Sequence, residues 1–196
     1  GYDNSGPVEV SGTGKFTPIV PDNFNWNAFL NGDATLPSAF NTATEFSIDL
    51  KFENGSVLNV NHTYNRDERT KFGNGILFEG AAGRIFVNRG KLEGSPVQEL
   101  STKDNEELGA AITKLYKGKK PGNHVRNFFE CIEDRTQPVS DVATHHRTMT
   151  SCHLCNIALM LGRDLKWDPK VENFVSDDQA SSLMTRKSRK LPAVTA

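Results

Sequence analysis

The chain has 196 residues, of which 36% are hydrophobic and 24% charged, and its formal net charge is −1. This composition favours a packed domain over a disordered chain, and the charge balance argues against a dedicated nucleic-acid binder, which needs a broad basic surface. No apolar run approaches the ~20 residues of a membrane span, so no membrane partner is expected.

The first residues of the chain form a loop that leads into a strand predicted over residues 7–14. The sequence starts at Gly1, without Met, so we interpret it as part of a longer protein. Its compartment, cytoplasmic or exported, therefore stays open. Residues 17–42 contain three prolines and no helical period, and they predict a long loop whose aromatic side chains pack locally.

The clearest strand signal lies in residues 44–65, where apolar and polar side chains alternate. The pair Asn54 and Gly55 follows the first strand and is typical of a type I′ hairpin turn, in which both central residues have positive φ. Residues 75–80 and 84–90 predict a second strand pair. Together the two hairpins predict a mainly antiparallel sheet.

The second half of the sequence predicts helices. Residues 102–118 have partly helical character, and residues 122–135 begin with Asn123 as a plausible N-cap. A long helix is predicted between an N-cap at Ser140 or Asp141 and a stop at Gly162. It is followed by a turn at Trp167, Asp168 and Pro169 and by a last short helix within residues 176–186. We therefore predict a single α+β domain over residues 1–196, with helices packed on one face of a mainly antiparallel sheet and the other face available for oligomerisation.

Residues 144–163 hold three of the five histidines and two of the three cysteines, which raises the question of a metal site. Helical metal ligands need a spacing of three or four residues to face one ion. His145 and His146 are adjacent, and His153 lies two turns beyond His146. Since no second CxxC accompanies the cysteines, we predict no bound metal.

Cys152 and Cys155 form a CxxC pair, but a thioredoxin-type pair sits at a helix N-terminus, where the helix dipole lowers the thiol pKa. Here the pair lies in the middle of the predicted helix. We therefore predict that these two cysteines and Cys131 are free thiols and mostly buried. His153 is interpreted as a core histidine, and His146, in the first two turns, as a residue that faces a cleft.

Nucleotide-binding motifs are missing from the sequence. The glycines of residues 12–14 and 73–80 lack the strand–GxGxxG–helix context, and no Walker A motif is present. Nothing in the sequence fixes the geometry of a Ser-His-Asp or Cys-His arrangement. The residues alone thus predict a domain with no catalytic, cofactor-binding or metal-binding residue of its own.

Several stretches resemble the C-terminal domain of the Gfo/Idh/MocA oxidoreductases, particularly planctomycete-type members. In the second half these are residues 123–142 (NHVRNFFECIEDRTQPVSDV), 145–174 (HHRTMTSCHLCNIALMLGRDLKWDPKVENF) and 176–184 (SDDQASSLM). Residues 78–92 (FEGAAGRIFVNRGKL) are similar to the paired strands of the family, and residues 3–12 (DNSGPVEVSG) to the segment after its central helix.

The resemblance implies a Rossmann domain that binds NAD or NADP and the catalytic residues of the family, all upstream of Gly1. It further implies that this lobe closes a site for a sugar or cyclitol-like, and so carbohydrate-like, small-molecule substrate. The substrate-binding candidates are His146, His145, Arg147 and His62. The open face of the sheet is implied to contact another subunit, which makes a homo-oligomer the expected state.

The alternative hypothesis is a non-catalytic binding or assembly module with no enzyme parent. It explains the missing motifs equally well, but it does not explain the resemblance. A glycine-rich strand–helix unit encoded in frame upstream of the chain would favour the enzyme over the module.

Overall fold

The computed structural model describes residues 5–63, 74–119 and 122–188. The chain divides into two compact units: residues 1–62 with 142–196 form the sheet unit, and residues 63–141 form the second unit. Antiparallel sheets and helices in both units confirm the predicted α+β class. The assignment of residues 1–196 to a single domain stays a prediction.

The elements of the sheet unit are β1 (Glu9–Phe16), α1 (Trp26–Asn31), β2 (Ala43–Lys51), β3 (Val57–Asn61), α5 (Val142–Leu161), β7 (Leu165–Asp168), β8 (Asn173–Phe174) and α6 (Asp178–Ser182). Those of the second unit are β4 (Ile76–Gly80), β5 (Gly83–Val87), β6 (Leu92–Glu93), α2 (Ser95–Gln98), α3 (Thr102–Leu115) and α4 (His124–Asp134). The strand orders are β3-β2-β1-β7-β8 in the first unit and β4-β5-β6 in the second.

The hairpin of β2 and β3 forms where the alternating pattern predicts it, but its turn differs from the prediction. Gly55 has a φ of 84°, whereas Asn54 does not adopt positive φ. The Gly55 N–H donates to the Phe52 carbonyl at 2.9 Å, and Phe52 N–H donates to the Ser56 carbonyl at 2.9 Å. The loop is therefore a three-residue turn that ends in a left-handed glycine, and the type I′ assignment is wrong.

One face of the five-stranded sheet packs against α5. Val10 and Leu50 are paired across β1 and β2, and both are almost fully buried, as is Leu154 of the helix. Gly14 on the same face allows this close packing, because a Cβ there would lie 2.6 Å from Cδ2 of Leu159. Burial of these apolar side chains stabilises the layer of helix on sheet.

The opposite face of the sheet, here called the polar face, carries Glu9, Lys15, Glu45, Asp49, Lys51 and Asn59. Lys51 forms an ion pair with Glu9, and Lys15 lies 3.4 Å from Glu45. The Asn59 amide donates to Asp49 at 2.5 Å. These strands therefore present charged and amide side chains, rather than an apolar patch, on the face that was predicted to be available for oligomerisation. The oligomer itself stays a prediction.

The segment predicted as a long loop contains the short helix α1, so that part of the prediction is wrong. The Asn25 side chain accepts from Ala28 N–H at 3.0 Å, and Gly32 ends the helix with a φ of 82°. Trp26 is buried and lies edge-on to Phe24 at 5.0 Å, which confirms the predicted local packing of aromatic rings. Six residues make fewer than two turns, too few for a hydrophobic period to be visible.

In the second unit, helix caps determine where α3 and α4 begin. Ser101 and Asp104 form a capping box at the start of α3. Asn123 caps α4 as predicted, accepting from Arg126 N–H at 3.0 Å. The buried Asn127 side chain accepts from Val139 N–H at 3.0 Å and so fixes the segment that follows α4. Within the described ranges, no helix has the length and apolar character that crossing a membrane requires.

Candidate functional site

The hairpin of β7 and β8 follows α5 and is fixed by the buried Trp167. Its backbone N–H donates to the Val8 carbonyl at 3.0 Å, and its ring meets Phe174 edge-on at 5.1 Å. The predicted turn at Trp167 is therefore displaced, because Trp167 belongs to a strand. The turn follows Asp168, whose Oδ1 accepts from Lys170 N–H at 2.8 Å.

The carboxylate of Glu172, which follows this turn, joins the hairpin to α5. Its Oε2 lies 2.9 Å from Nε2 of His146, and its Oε1 lies 3.3 Å from Nη1 of Arg147. The same Nη1 donates to the Pro169 carbonyl at 2.8 Å. Adjacent residues of α5, which point about 100° apart, are thus both held by one turn.

The pKa of Glu172 is lowered from its ordinary value of 4.5. The hydrogen bond from His146 is the main cause; partial burial opposes it, and the charges of His146 and Arg147 lower the pKa further. Glu172 is therefore a carboxylate at neutral pH. Since a carboxylate only accepts hydrogen bonds, Nε2 of His146 carries the proton of this hydrogen bond.

A cavity of about 340 Å³, here called the histidine cavity, opens beside this cluster. Its apolar wall includes Trp167, Met160 and Leu183. Its polar lining residues are His146, Thr150, His153, Asn156, Glu172 and Arg186. An apolar wall with several convergent hydrogen-bonding groups is the usual make-up of a small-molecule site.

A larger cavity of about 570 Å³, here called the sheet cavity, lies between α5 and the helix-bearing face of β2 and β3. Leu50, Leu58 and Val60 line it from the sheet, and Cys152 and Cys155 from the helix. Leu58 and Val60 remain exposed although they lie on the same face of the sheet as the core. The surface of this cavity is mainly apolar, although polar side chains of α5 such as Arg147, Ser151 and Asn156 also line it.

The structure brings together two of the four predicted substrate-binding residues. His146 lines the histidine cavity, and Arg147, bound to the same carboxylate, lines the sheet cavity. His145 is exposed and is not among the lining residues of either cavity. His62 lies at the end of β3, where its Nδ1 is 2.9 Å from Phe46 N–H. Substrate binding by these four residues stays a prediction.

Two sequence interpretations of α5 are wrong in part. His153 is exposed and lines the histidine cavity, so it is not a core histidine. Cys152 is exposed too, although Cys131 and Cys155 are buried free thiols as predicted. Burial raises the pKa of Cys155 to about 11, which makes this thiol unreactive at neutral pH. The spacing of apolar residues along α5 indicates which side of the helix faces the sheet. How many residues on either side of that line are also buried depends on how much of the helix the sheet covers, which only the fold determines.

The sequence reasoning did not single out Glu172, the residue that organises the site. Its partners lie 26 and 25 residues earlier in the chain, and no local spacing rule connects such positions. The one feature of the sequence that could have pointed to Glu172 is its acidic side chain just after the turn predicted at Trp167, Asp168 and Pro169. Among the residues that the structure describes, no three His, Cys, Asp or Glu side chains are grouped so that they could hold a metal ion. The predicted absence of zinc stays a prediction.

Comparison with known proteins gives one match. A family model described as "Oxidoreductase family, C-terminal alpha/beta domain" matches residues 44–193, which is more than half of the chain. That range includes β3, all of β2 except Ala43, and every residue of the cluster around Glu172. No curated protein and no solved structure matches the chain.

Proposed function

Since the chain belongs to the Gfo/Idh/MocA oxidoreductase family, as a C-terminal alpha/beta domain, we propose that it shapes the substrate cleft of an NAD(P)-dependent enzyme. The substrate is a sugar or a cyclitol-like molecule. The observation that carries this proposal is the histidine cavity, with His146 held on its wall by Glu172.

The lining of the histidine cavity suits a hydroxylated ring. A sugar presents C–H groups on its faces and hydroxyl groups on its rim, and the cavity has both an apolar wall and side chains that accept or donate hydrogen bonds. Nδ1 of His146 and the N–H groups of Arg186 are available for hydrogen bonds to the hydroxyl groups of the substrate. These residues would bind and orient the substrate, and a nicotinamide cofactor held by another domain would supply the hydride chemistry.

The residues that the structure describes do not form a site for the nicotinamide cofactor. All strand pairings among the described residues are antiparallel. A dinucleotide site needs a parallel strand–helix–strand unit whose glycine-rich turn places the pyrophosphate at a helix N-terminus. We therefore place the cofactor on a domain outside the chain.

The 196-residue chain is accordingly expected to bind none of NAD⁺, NADH, NADP⁺ and NADPH. Calorimetric titration with each nucleotide should give no heat beyond dilution, because the pyrophosphate contacts are missing. Binding at low-micromolar affinity would contradict the placement of the cofactor on another domain.

The polar face of the sheet is proposed as the contact between subunits. Its ion pairs and amide groups would make this contact electrostatic, so salt should weaken it. Light scattering should give about twice the chain mass of 21.7 kDa at low salt. The mass should fall as salt rises from ~0.1 M to ~1 M, which shortens the Debye length from about 10 Å to about 3 Å.

Charge reversal on the polar face provides the control for this prediction. Lys51→Glu should weaken association, whereas Lys103→Glu, which changes an exposed lysine of α3, should not. A monomer at every salt concentration, or a dimer that salt and Lys51→Glu leave intact, would argue against the polar face as the contact.

The enzyme proposal is tested on the protein that contains this chain together with its nucleotide-binding domain. Absorbance of reduced nicotinamide should rise when NAD⁺ or NADP⁺ is mixed with at least one member of a panel of aldoses, sugar acids and inositols. No turnover with any member, in either direction, would favour the alternative of a non-catalytic binding or assembly module.

A further inference from the structure

We propose that Glu172 is a positioning residue, which holds the imidazole of His146 on the wall of the histidine cavity with the ring proton on Nε2. This inference rests on the proposed function, because the orientation of the ring matters only if the cavity receives a ligand. The class of ligand group that this arrangement selects is a hydroxyl, which can donate or accept a hydrogen bond at Nδ1.

The first ground for the proposal is the way in which the carboxylate is itself held. Its Oε2 faces Nε2 of His146 at 2.9 Å, and its Oε1 faces Nη1 of Arg147 at 3.3 Å. Arg147 is in turn fixed by the Pro169 carbonyl at 2.8 Å. A carboxylate with both oxygens engaged does not rotate freely, so it presents a fixed acceptor to the imidazole.

The second ground is the backbone of Glu172, which has a φ of 53°. Residues with a Cβ adopt this left-handed conformation at a cost in energy, and glycine adopts it freely. The turn alone therefore does not require a glutamate, and glycine would form it with less strain. Strain at a residue whose side chain contacts a cavity-lining histidine is the pattern expected at a functional site.

The third ground is the charge of the group. The pKa of Glu172 is lowered, so the acceptor stays ionised through the neutral range. His153 and Arg186 also line the cavity, and Glu172 is the acidic residue among its lining residues. An ionised acceptor beside Nε2 keeps a proton on that nitrogen, which leaves Nδ1 for a hydrogen bond to a ligand hydroxyl.

The test compares the wild-type chain with Glu172→Gly, which keeps the turn, and Glu172→Gln, which keeps a neutral acceptor. Each protein is treated with diethyl pyrocarbonate, and tandem mass spectrometry measures the labelling rate of each histidine. In Glu172→Gly, His146 should react about two- to fivefold faster relative to His145 and His153, as expected for loss of an exposed ionic hydrogen bond. Glu172→Gln should give an intermediate rate.

The melting temperature of Glu172→Gly shows whether the side chain of Glu172 positions His146 or only stabilises the fold. Glu172→Gly should melt no lower than the wild type, because glycine relieves the strained backbone. An unchanged labelling ratio for His146 would overturn the proposal, whatever the melting temperature.

Turnover supplies a second, independent arm in the protein that contains the nucleotide-binding domain. Glu172→Gly should lower kcat/KM about three- to tenfold, and it should have no further effect in the background of His146→Ala, since residues that act through one another are not additive. Equal losses in both backgrounds would overturn the proposal. If the wild type turns over no substrate, the proposed function fails, and the labelling rates still decide whether Glu172 holds His146.

Discussion

Replacement of Trp167 with alanine is expected to lower the free energy of unfolding by about 3–5 kcal/mol, the usual cost of deleting a buried aromatic side chain. Trp167 is only 3% exposed and packs edge-on against Phe174 in the hairpin of β7 and β8. The hairpin is also the element that carries Glu172. Trp167→Ala should therefore lower the stability of the chain and also change the wall of the histidine cavity, which Trp167 lines.

Urea unfolding followed by far-UV circular dichroism measures this loss without relying on tryptophan fluorescence, which the substitution itself changes. Val171→Ala is the matched control, because Val171 lies in the same hairpin and is 69% exposed. That control should stay within about 0.5 kcal/mol of the wild type. Trp167→Phe should fall between the two, since it keeps an aromatic ring against Phe174. Equal stability of Trp167→Ala and Val171→Ala would contradict the packing described for this hairpin.

Replacement of His146 with alanine is expected to lower kcat/KM about 10- to 100-fold in the protein that contains the nucleotide-binding domain. This corresponds to loss of one hydrogen bond that involves a charged or strongly polar group, worth about 1.5–3 kcal/mol. The side chain is 56% exposed on the cavity wall, so its removal leaves no void in the core. The melting temperature should therefore change little.

Met149→Ala is the matched control for His146→Ala. Met149 lies one turn further along α5, is half-exposed, and is not among the residues that line either cavity. Its kcat/KM should stay within about twofold of the wild type. The same assay of His145→Ala decides the substrate-binding role predicted for that residue. Unchanged turnover in His146→Ala would remove the histidine cavity from consideration as the substrate site.

The exposure of His153 changes what is expected of its substitution. A core histidine would leave a buried partner unsatisfied when removed, which costs about 1–3 kcal/mol. Because His153 is exposed at the cavity, His153→Ala should act on ligand binding rather than on stability.

The sequence by itself determined the elements whose signals are local. Alternation of apolar and polar side chains located β2 and β3, and Asn123 located the start of α4. Gly162, with a φ of 62°, ended α5 as predicted. Strand alternation, side-chain capping and left-handed glycines each depend on a few neighbouring residues, so a single sequence is enough to predict them.

Only the tertiary structure decided which distant residues meet. The pairing of β1 with β7 places the hairpin beside α5, and this brings Glu172 to His146 and Arg147 across 26 and 25 residues of chain. The same packing leaves His153 at a cavity rather than in the core. Contacts of this kind depend on the order of the strands in the sheet and on how much of the sheet α5 covers. Neither property can be predicted from the spacing of residues along the chain.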